Sequence, residues 1–403
     1  MAPPLPPALA WLYSVQQFGM KPGLDNTRRL LKELQLPWNR QRFFHVAGTN
    51  GKGSTCAFLE SILRFSGERT GLFTSPHLVS FSERIRTNGQ LIPTDDLTRS
   101  IEALRPVVAS WDPHPTFFEL SLMLALDWFE RSGAESIVLE TGMGGRLDAT
   151  NALTPVVSLI TPIGMDHQQW LGNSLAAIAS EKAGIIKPGI PVFSAPQAPE
   201  AADVITQAAA RANAPLTFIS QPYQGPLPLP GSHQAWNAAL AIAAARSTGL
   251  HVSDDLIARA LTATSWPARF QQLENGRLII DGAHNPHGAA ATTAAWQSLF
   301  GTEPAAIVFG AVAPRETAEV LAALSPIAAA FFCVAPDSPR AIPAPESAAA
   351  APTHIPASSH PSLPDALAAA RASSRRILVC GSLYLCGETL SLLNGTPFEP
   401  SSQ

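Results

Sequence analysis

The sequence is poor in cysteine, in charge and in long apolar runs, and each shortage removes a class of protein. Its four cysteines, Cys56, Cys333, Cys380 and Cys386, form no C-x-x-C pair and keep no His/Cys metal spacing. A disulfide scaffold and a zinc module are therefore excluded, and buried reduced thiols in a cytoplasmic protein are expected. Only 14% of the residues are charged, and the formal net charge is -4. Broad nucleic-acid binding needs a surplus of Lys and Arg, so nucleic acid is not an expected partner. A local basic pocket for an anionic substrate remains compatible with that balance. The longest apolar stretches, such as "LSLMLALDWF", are too short to span a bilayer and are broken by Asp127, so no membrane partner is expected. The opening residues, "MAPPLPPALAWLY", carry no basic stretch ahead of their apolar ones, which argues against a secretory signal.

What is present is a globular composition. Apolar residues make up 46% of the chain, and 403 residues suffice for two domains, each with its own core. Buried β-type runs ("RFFHVA", "SIVLE", "PVVSLIT", "IPVFSA") alternate with helical patterns around 55–66, 117–131, 174–183 and 200–212. Such alternation predicts an α/β protein with a largely parallel sheet covered by helices. After the helical stretch "HQAWNAALAIAAARSTG", the segment "TATSWPARF" breaks the pattern and a second series begins with "RLIIDG", "AAIVFGA", "AAAFFCVA" and "RILVCGS". The boundary falls near 265, giving domains 1–265 and 266–403. The Pro/Ala/Ser-rich stretch 335–364 reads as a surface loop with one short helix.

Chemistry enters with "VAGTNGKGST". The common phosphate-binding loop reads G-x-x-x-x-G-K-S/T, with the hydroxyl directly after the lysine, whereas here Gly53 separates Lys52 from Ser54. A strand precedes the loop and a helix follows it. Gly48, Gly51 and Gly53 let successive backbone N–H groups turn toward one anion, and the helix points its positive end at the same place. Lys52 would reach the β- and γ-phosphates, and Ser54 or Thr55 would offer a hydroxyl to Mg²⁺. Glycines that only make a turn are the plainer alternative.

Further polar groups recur at the same sheet edge. Ser75, Pro76 and His77 suit an ordered loop near the phosphates. Glu140 ends a strand before the tight turns at Gly142, Gly144 and Gly145, where ligands of parallel sheets usually bind. Asp166 and His167 follow another strand, and Lys182 lies beside Glu181 in a mostly apolar helix. In "LIIDGAHNPHG", Asp281 ends a strand, Asn285 can cap the next helix, and Pro286 suits its first turn. His284, beside that helix's N-terminus, either receives a substrate carboxylate or satisfies backbone groups in the turn.

Taken together, "VAGTNGKGST", "TSPHL", "LETGMGGRLDATN", "DHQQWLG", "EKAGI", "WPARF" and "DGAHNPHG" resemble the folylpolyglutamate synthase family, including its bifunctional dihydrofolate synthase form, within the Mur ligase superfamily. The resemblance spans roughly 10–390, and the additional glycine is the form this superfamily uses. It implies a P-loop parallel-sheet ATPase domain followed by a smaller Rossmann-like α/β domain. It also implies an ADP-forming ligase that joins L-glutamate to reduced folates, and to dihydropteroate, through an acyl phosphate. The expected cofactors are ATP and one or two Mg²⁺ ions, with a monovalent cation as a further candidate, and a monomer is expected.

Residue by residue, Thr49, Asn50, Gly51, Lys52, Gly53 and Ser54 match the ATP-phosphate loop. Ser54, Ser75, Glu140 and His167 match magnesium ligands. Lys182 matches a lysine carbamylated in relatives. Asn237, Arg269 and Asp281 match the remaining ATP contacts, with catalytic roles falling to Lys52, His167, Lys182 and Arg269. Thr116, Phe117, Phe118, Glu119, Leu147, Asp148 and Ala149 match segments lining the dihydropteroate pocket, with the aromatics stacking on the pterin and Glu119 accepting from its N–H groups. The family's D-K-D motif is absent, and "VAPRETAE" stands in its place. Rival readings are a cell-wall Mur-type amino-acid ligase and a non-ligase P-loop nucleotide-binding protein.

Overall fold

The structure, a computed structural model, describes residues 5–19, 23–36, 40–313, 316–373 and 375–400. Pro314 and Arg315 of "VAPRETAE", and the first four residues of the opening stretch, lie outside the described residues. Two sheets organise the chain. The first contains β1 (Arg42–Ala47), β2 (Thr70–Phe73), β3 (Ile85–Thr87), β4 (Gln90–Leu91), β5 (Ser136–Glu140), β6 (Val157–Ile160), β7 (Val192–Ser194) and β8 (Leu216–Phe218). Their spatial order is β4-β3-β2-β5-β1-β6-β7-β8. All pairs are parallel except β2–β3 and β3–β4, which form an antiparallel edge.

The second sheet contains β9 (Gln271–Leu273), β10 (Leu278–Ile280), β11 (Ala305–Phe309), β12 (Ala328–Cys333), β13 (Ala357–Ser359) and β14 (Arg376–Cys380), in the order β13-β12-β11-β14-β10-β9. Only β9–β10 is antiparallel. Both sheets are thus mostly parallel α/β sheets, as the alternating pattern predicts.

β1 is mostly apolar, apart from Arg42 at its start and the buried His45, because it is central and covered on both faces. Phe43 packs toward Leu120, Leu124 and Phe129 of the helix Phe117–Arg131. Phe44 and Val46 face the helices Lys52–Phe65 and Ser232–Arg246. Each such aromatic contributes on the order of 2–3 kcal/mol by burial. The second helix meets the first through Ala238, Ala241, Ala244 and Ala245, whose small side chains permit close approach. β2 and β5 lie on one side of β1, and β6 to β8 on the other. Winding therefore reverses at β1, and the carboxyl ends of β1, β5 and β6 open into the crevice where ligands of such sheets bind.

The stretch 335–364 is more ordered than its composition predicts. It holds the short helix Ala344–Ala349 and then β13, which pairs parallel with β12 at Phe331↔Ala357. Ala-Ser-Ser is exposed and has no apolar alternation, so this edge strand leaves no periodic signal.

Candidate active site

The turn after β1 is fixed by close contacts that leave no room for side chains. Gly48 has φ 149°, and a Cβ there would lie 1.9 Å from Thr161 Oγ1. The amides of Thr49 and Asn50 both donate to Pro162 O, and Thr49 Oγ1 bonds the backbone of Gly164. Gly51, at φ 87°, is the N-cap of the helix Lys52–Phe65, which has no side-chain cap. The positive end of this helix is therefore left for an anion. Lys52 Nζ bonds Thr49 O at 3.3 Å, folding back over the loop. The buried hydroxyls of Ser54 and Thr55 have no hydrogen-bond partner among the described residues. A Cβ on Gly53 would meet Trp266 Nε1 at 2.8 Å, so the inserted glycine makes room for the indole of "WPARF".

Glu140 ends β5 and is buried, accepting the Ser75 amide at 3.2 Å. Burial raises its pKa above the ordinary carboxyl value, against the pull of Lys52, the Ser75 amide, Arg269 and Arg84. Gly53, Ser75, Pro76, Glu140, Trp266 and Arg269 border a cleft of about 450 Å³, its solvent-open part included. Residues from the loop, from β5 and from the start of the second domain thus share one cavity. Among the described residues no three His, Cys, Asp or Glu side chains gather into a metal-binding group. Mg²⁺ keeps waters and substrate phosphates as ligands and needs only one or two protein groups. The partnerless Ser54 hydroxyl and the sparsely bonded Glu140 fit such a role.

His167 does not border this cleft. It caps a short helix at φ 51°, its amide donates to Asp166 Oδ1, and its Nε2 lies 3.9 Å from the same oxygen. Lys182 is buried, and its Nζ donates to Gly48 O at 2.7 Å. Burial, reinforced by Lys52, brings its pKa from 10.5 down to about 7, although Asp166 and Asp148 oppose the shift. A lysine so placed holds a substantial neutral fraction near neutrality.

The second domain supplies Arg269, whose Nη1 makes a long 3.4 Å bond to Ala268 O. Asp281 is largely committed to structure. Its oxygens accept from Phe270 N at 2.8 Å, Ala283 N at 3.0 Å and Thr292 Oγ1 at 2.7 Å, so any ribose hydroxyl would be an additional partner. Asn237 donates to Gln234, and its Oδ1 would lie 2.5 Å from a Cβ on Gly51. His284 bonds Gly282 O through Nδ1 at 2.7 Å, while its Nε2 faces Asp166 at 3.7 Å. Asn285 caps the helix Pro286–Phe300 through Gly288 N. It also pairs with Asn50.

The segment expected to line a pterin pocket makes structural bonds of its own. Thr116 and Glu119 form a capping box: Glu119 Oε2 accepts from Thr116 N at 2.8 Å and Thr116 Oγ1 at 2.9 Å. Oε1 accepts from Thr27 at 3.1 Å. Glu119 is thus a helix cap, with its oxygens engaged by Thr116 and Thr27. Phe117 is buried and stacks on Tyr13 with centroids 5.7 Å apart, which makes it a core aromatic. Phe118 is half-buried against Gly142 and Phe73. Asp148 accepts from the amides of Gly142, Met143 and Thr150, shaping the glycine turn, with Ala149 buried and Leu147 exposed. Phe118 and Leu147 are the members of this set with accessible surface.

The sequence reading missed two features. One is Trp266, whose motif "WPARF" has no local pattern pointing to the phosphate loop. The other is the segment around Glu399, which accepts from Phe81 N at 2.8 Å, while its amide donates to Val79 O and its carbonyl accepts from His77 Nε2. Arg84 donates to His77 Nδ1 at 2.8 Å, which leaves the proton on Nε2. His77 therefore anchors the tail while Ser75 and Pro76 border the cleft.

A phosphate loop facing a buried carboxylate, with a second α/β domain delivering an arginine to the same cleft, defines a two-domain ATP-dependent ligase of the Mur type. Family models agree: the Mur ligase middle domain matches residues 46–192, and the Mur ligase, glutamate ligase domain matches residues 268–383. The chain is 36% identical to the dihydrofolate synthase/folylpolyglutamate synthase of Bacillus subtilis (strain 168), across 83% of this chain and 86% of the relative. It belongs to the folylpolyglutamate synthase/dihydrofolate synthase family. Among solved structures, Escherichia coli FolC in complex with DHPP and ADP superposes with TM-score 0.87 at 32% identity, covering 97% of this chain and 98% of that one. The bifunctional folylpolyglutamate synthase/dihydrofolate synthase from Yersinia pestis, complexed with AMPPNP and Mn ion, gives TM-score 0.86 at 31% identity, covering 98% and 100%.

Proposed function

We propose that this chain joins L-glutamate to dihydropteroate and to reduced folylglutamates, using ATP and releasing ADP and phosphate. The observation that carries the reading is the cleft bordered by Gly53, Ser75, Glu140, Trp266 and Arg269, with Lys52 acting electrostatically on its Glu140. A substrate carboxylate oxygen attacks the γ-phosphorus, forming a P–O bond as the β–γ bridging bond breaks and ADP departs. Lys52 and Arg269 hold the phosphate oxygens in line and offset the negative charge of that transfer. Trp266 and Leu383, both bordering the cleft, exclude water from the acyl phosphate. The glutamate amine then attacks the acyl carbon, the amide forms, and phosphate leaves with the bonding pair.

Ser54, Glu140 and Ser75 are the residues that would hold Mg²⁺, which when bound neutralises phosphate oxygens. Lys182 supplies a neutral amine that takes up CO₂ and loses a proton, becoming a carbamate. We place the domain boundary near 265 and read the protein as a cytoplasmic monomer. Among the described residues no helix is long and apolar enough to cross a membrane.

The test is ADP release with dihydropteroate or tetrahydrofolate, each with and without L-glutamate. Release that requires both the pterin substrate and glutamate is expected, with dihydrofolate as product from dihydropteroate. Equal ADP release without any carboxylate substrate would reduce the protein to a nucleotide hydrolase.

A further inference from the structure

We propose that Asn285 is a positioning residue that couples the filling of the phosphate loop to closure of the second domain. Asn285 is 3% exposed and is the N-cap of the helix Pro286–Phe300. Its Oδ1 accepts from Gly288 N at 2.8 Å and from Asn50 Nδ2 at 3.2 Å. Its Nδ2 donates to Asn50 Oδ1 at 3.1 Å and to Asp166 Oδ2 at 3.1 Å. A primary amide has two N–H donors and two acceptor lone pairs, so these contacts use its full capacity. The amide cannot be reversed, because its oxygen must face the Gly288 N–H and its nitrogen the Asp166 carboxylate.

Capping alone does not require an amide, since Asn, Asp and Ser cap about equally well. Asp would retain the cap but lose both donors and place a second carboxylate against Asp166. Ser would cap without reaching Asn50. What the amide adds is the reciprocal bond to Asn50, which stands between Thr49 and the N-cap glycine Gly51. Asn50 Nδ2 also lies 2.9 Å from His287 Nδ1, in the first turn of the second domain's helix. Asp166 completes the link, since it follows β6 and lies near both His284 and His167. An anion that orders the loop therefore orders the start of this helix as well. By thermodynamic reciprocity, closure of the second domain then favours a filled loop.

The inference rests on reading residues 48–54 as the phosphate loop, and hydrogen exchange with AMPPNP and Mg²⁺ tests the two separately. In the wild type AMPPNP slows exchange at 48–54 and, through the amide pair, at 281–290. In Asn285→Asp the protection at 48–54 persists, whereas that at 281–290 is lost. Asn50→Ser removes the partner amide and leaves the cap intact, so folding is not at stake, and it loses the same distal protection. For Asn285→Asp the KM for L-glutamate rises at least about tenfold while the KM for ATP stays within about twofold. Undiminished protection of 281–290 in Asn50→Ser overturns the coupling. Absent protection of 48–54 in the wild type overturns the phosphate-loop reading instead.

Discussion

Glu140, at the carboxyl end of β5, and Glu119, in the first turn of the helix Phe117–Arg131, are each 5% exposed. Glu119 accepts from Thr116 N, Thr116 Oγ1 and Thr27 Oγ1, whereas Glu140 accepts the Ser75 amide alone among described residues. Burial depth is therefore uninformative about purpose here, and the count of donors is informative. A carboxylate whose lone pairs are filled by its own helix holds the fold. One left under-satisfied, beside Lys52 and Arg269, has capacity reserved for something absent from the chain. Lys182 belongs with Glu140, because it is buried with one carbonyl partner among the described residues.

The sharpest way to break the comparison is Glu140→Gln. Catalysis should fall by about 10²–10³-fold, the usual loss when a charge-stabilising group is removed. Stability should move the other way. The folded pKa of Glu140 is raised, so its favourable contribution is complete below the unfolded pKa and is lost as pH climbs through the folded value. The amide escapes that loss, and a melt near neutral pH should show a variant at least as stable as the wild type. A destabilised, active variant would place Glu140 with Glu119.

Lys182→Ala should be nearly as damaging, and small carboxylic acids should partly restore activity by replacing the missing anion. Its folded pKa is lowered to about 7 from 10.5, so folding releases a proton across that window. Its contribution to stability rises from pH 7 upward and is lost as pH falls back through about 7. Activity at limiting bicarbonate should climb through the same region, because only the neutral amine captures CO₂. An active enzyme with a bare amine in a high-resolution map would count decisively against the carbamate.

Glu119→Ala reverses the pattern. Loss of the capping box should cost about 1–2 kcal/mol, seen as a lowered melting temperature, with activity per folded molecule kept within a few fold. A normal melt combined with lost dihydrofolate production would return Glu119 to the substrate site.

The phosphate loop was legible because everything that defines it is local: strand, glycines, lysine and hydroxyls lie within a dozen or so residues. The strands of both sheets were legible because central parallel strands are continuously apolar. The cap at Glu119 has a local signature as well, since T-F-F-E is a capping-box pattern. Other features had no local signal. Asn50 and Asn285 are 235 positions apart, and Phe81 and Glu399 are 318 apart. Only folding brings them together. β9 and β13 are short strands at the sheet's edges with little apolar content.

The smallest effect concerns the additional glycine. Gly53 lies in the first turn of the helix Lys52–Phe65 at an ordinary φ, so helical geometry alone would accept alanine there. The obstacle is Trp266, whose Nε1 would stand 2.8 Å from the new Cβ. The indole also has the Arg86 guanidinium 5.2 Å from its ring centroid, so shifting it would disturb that contact. Gly53→Ala should therefore raise the KM for ATP by several fold, while the fold is retained. The comparison is completed in a double-mutant cycle with Trp266→Leu, which removes the ring that alanine would strike. Residues in contact couple by about 0.5–3 kcal/mol, so alanine at 53 should be nearly harmless in the leucine background. If the two changes simply add, the glycine serves the backbone of the loop and the tryptophan is not its reason.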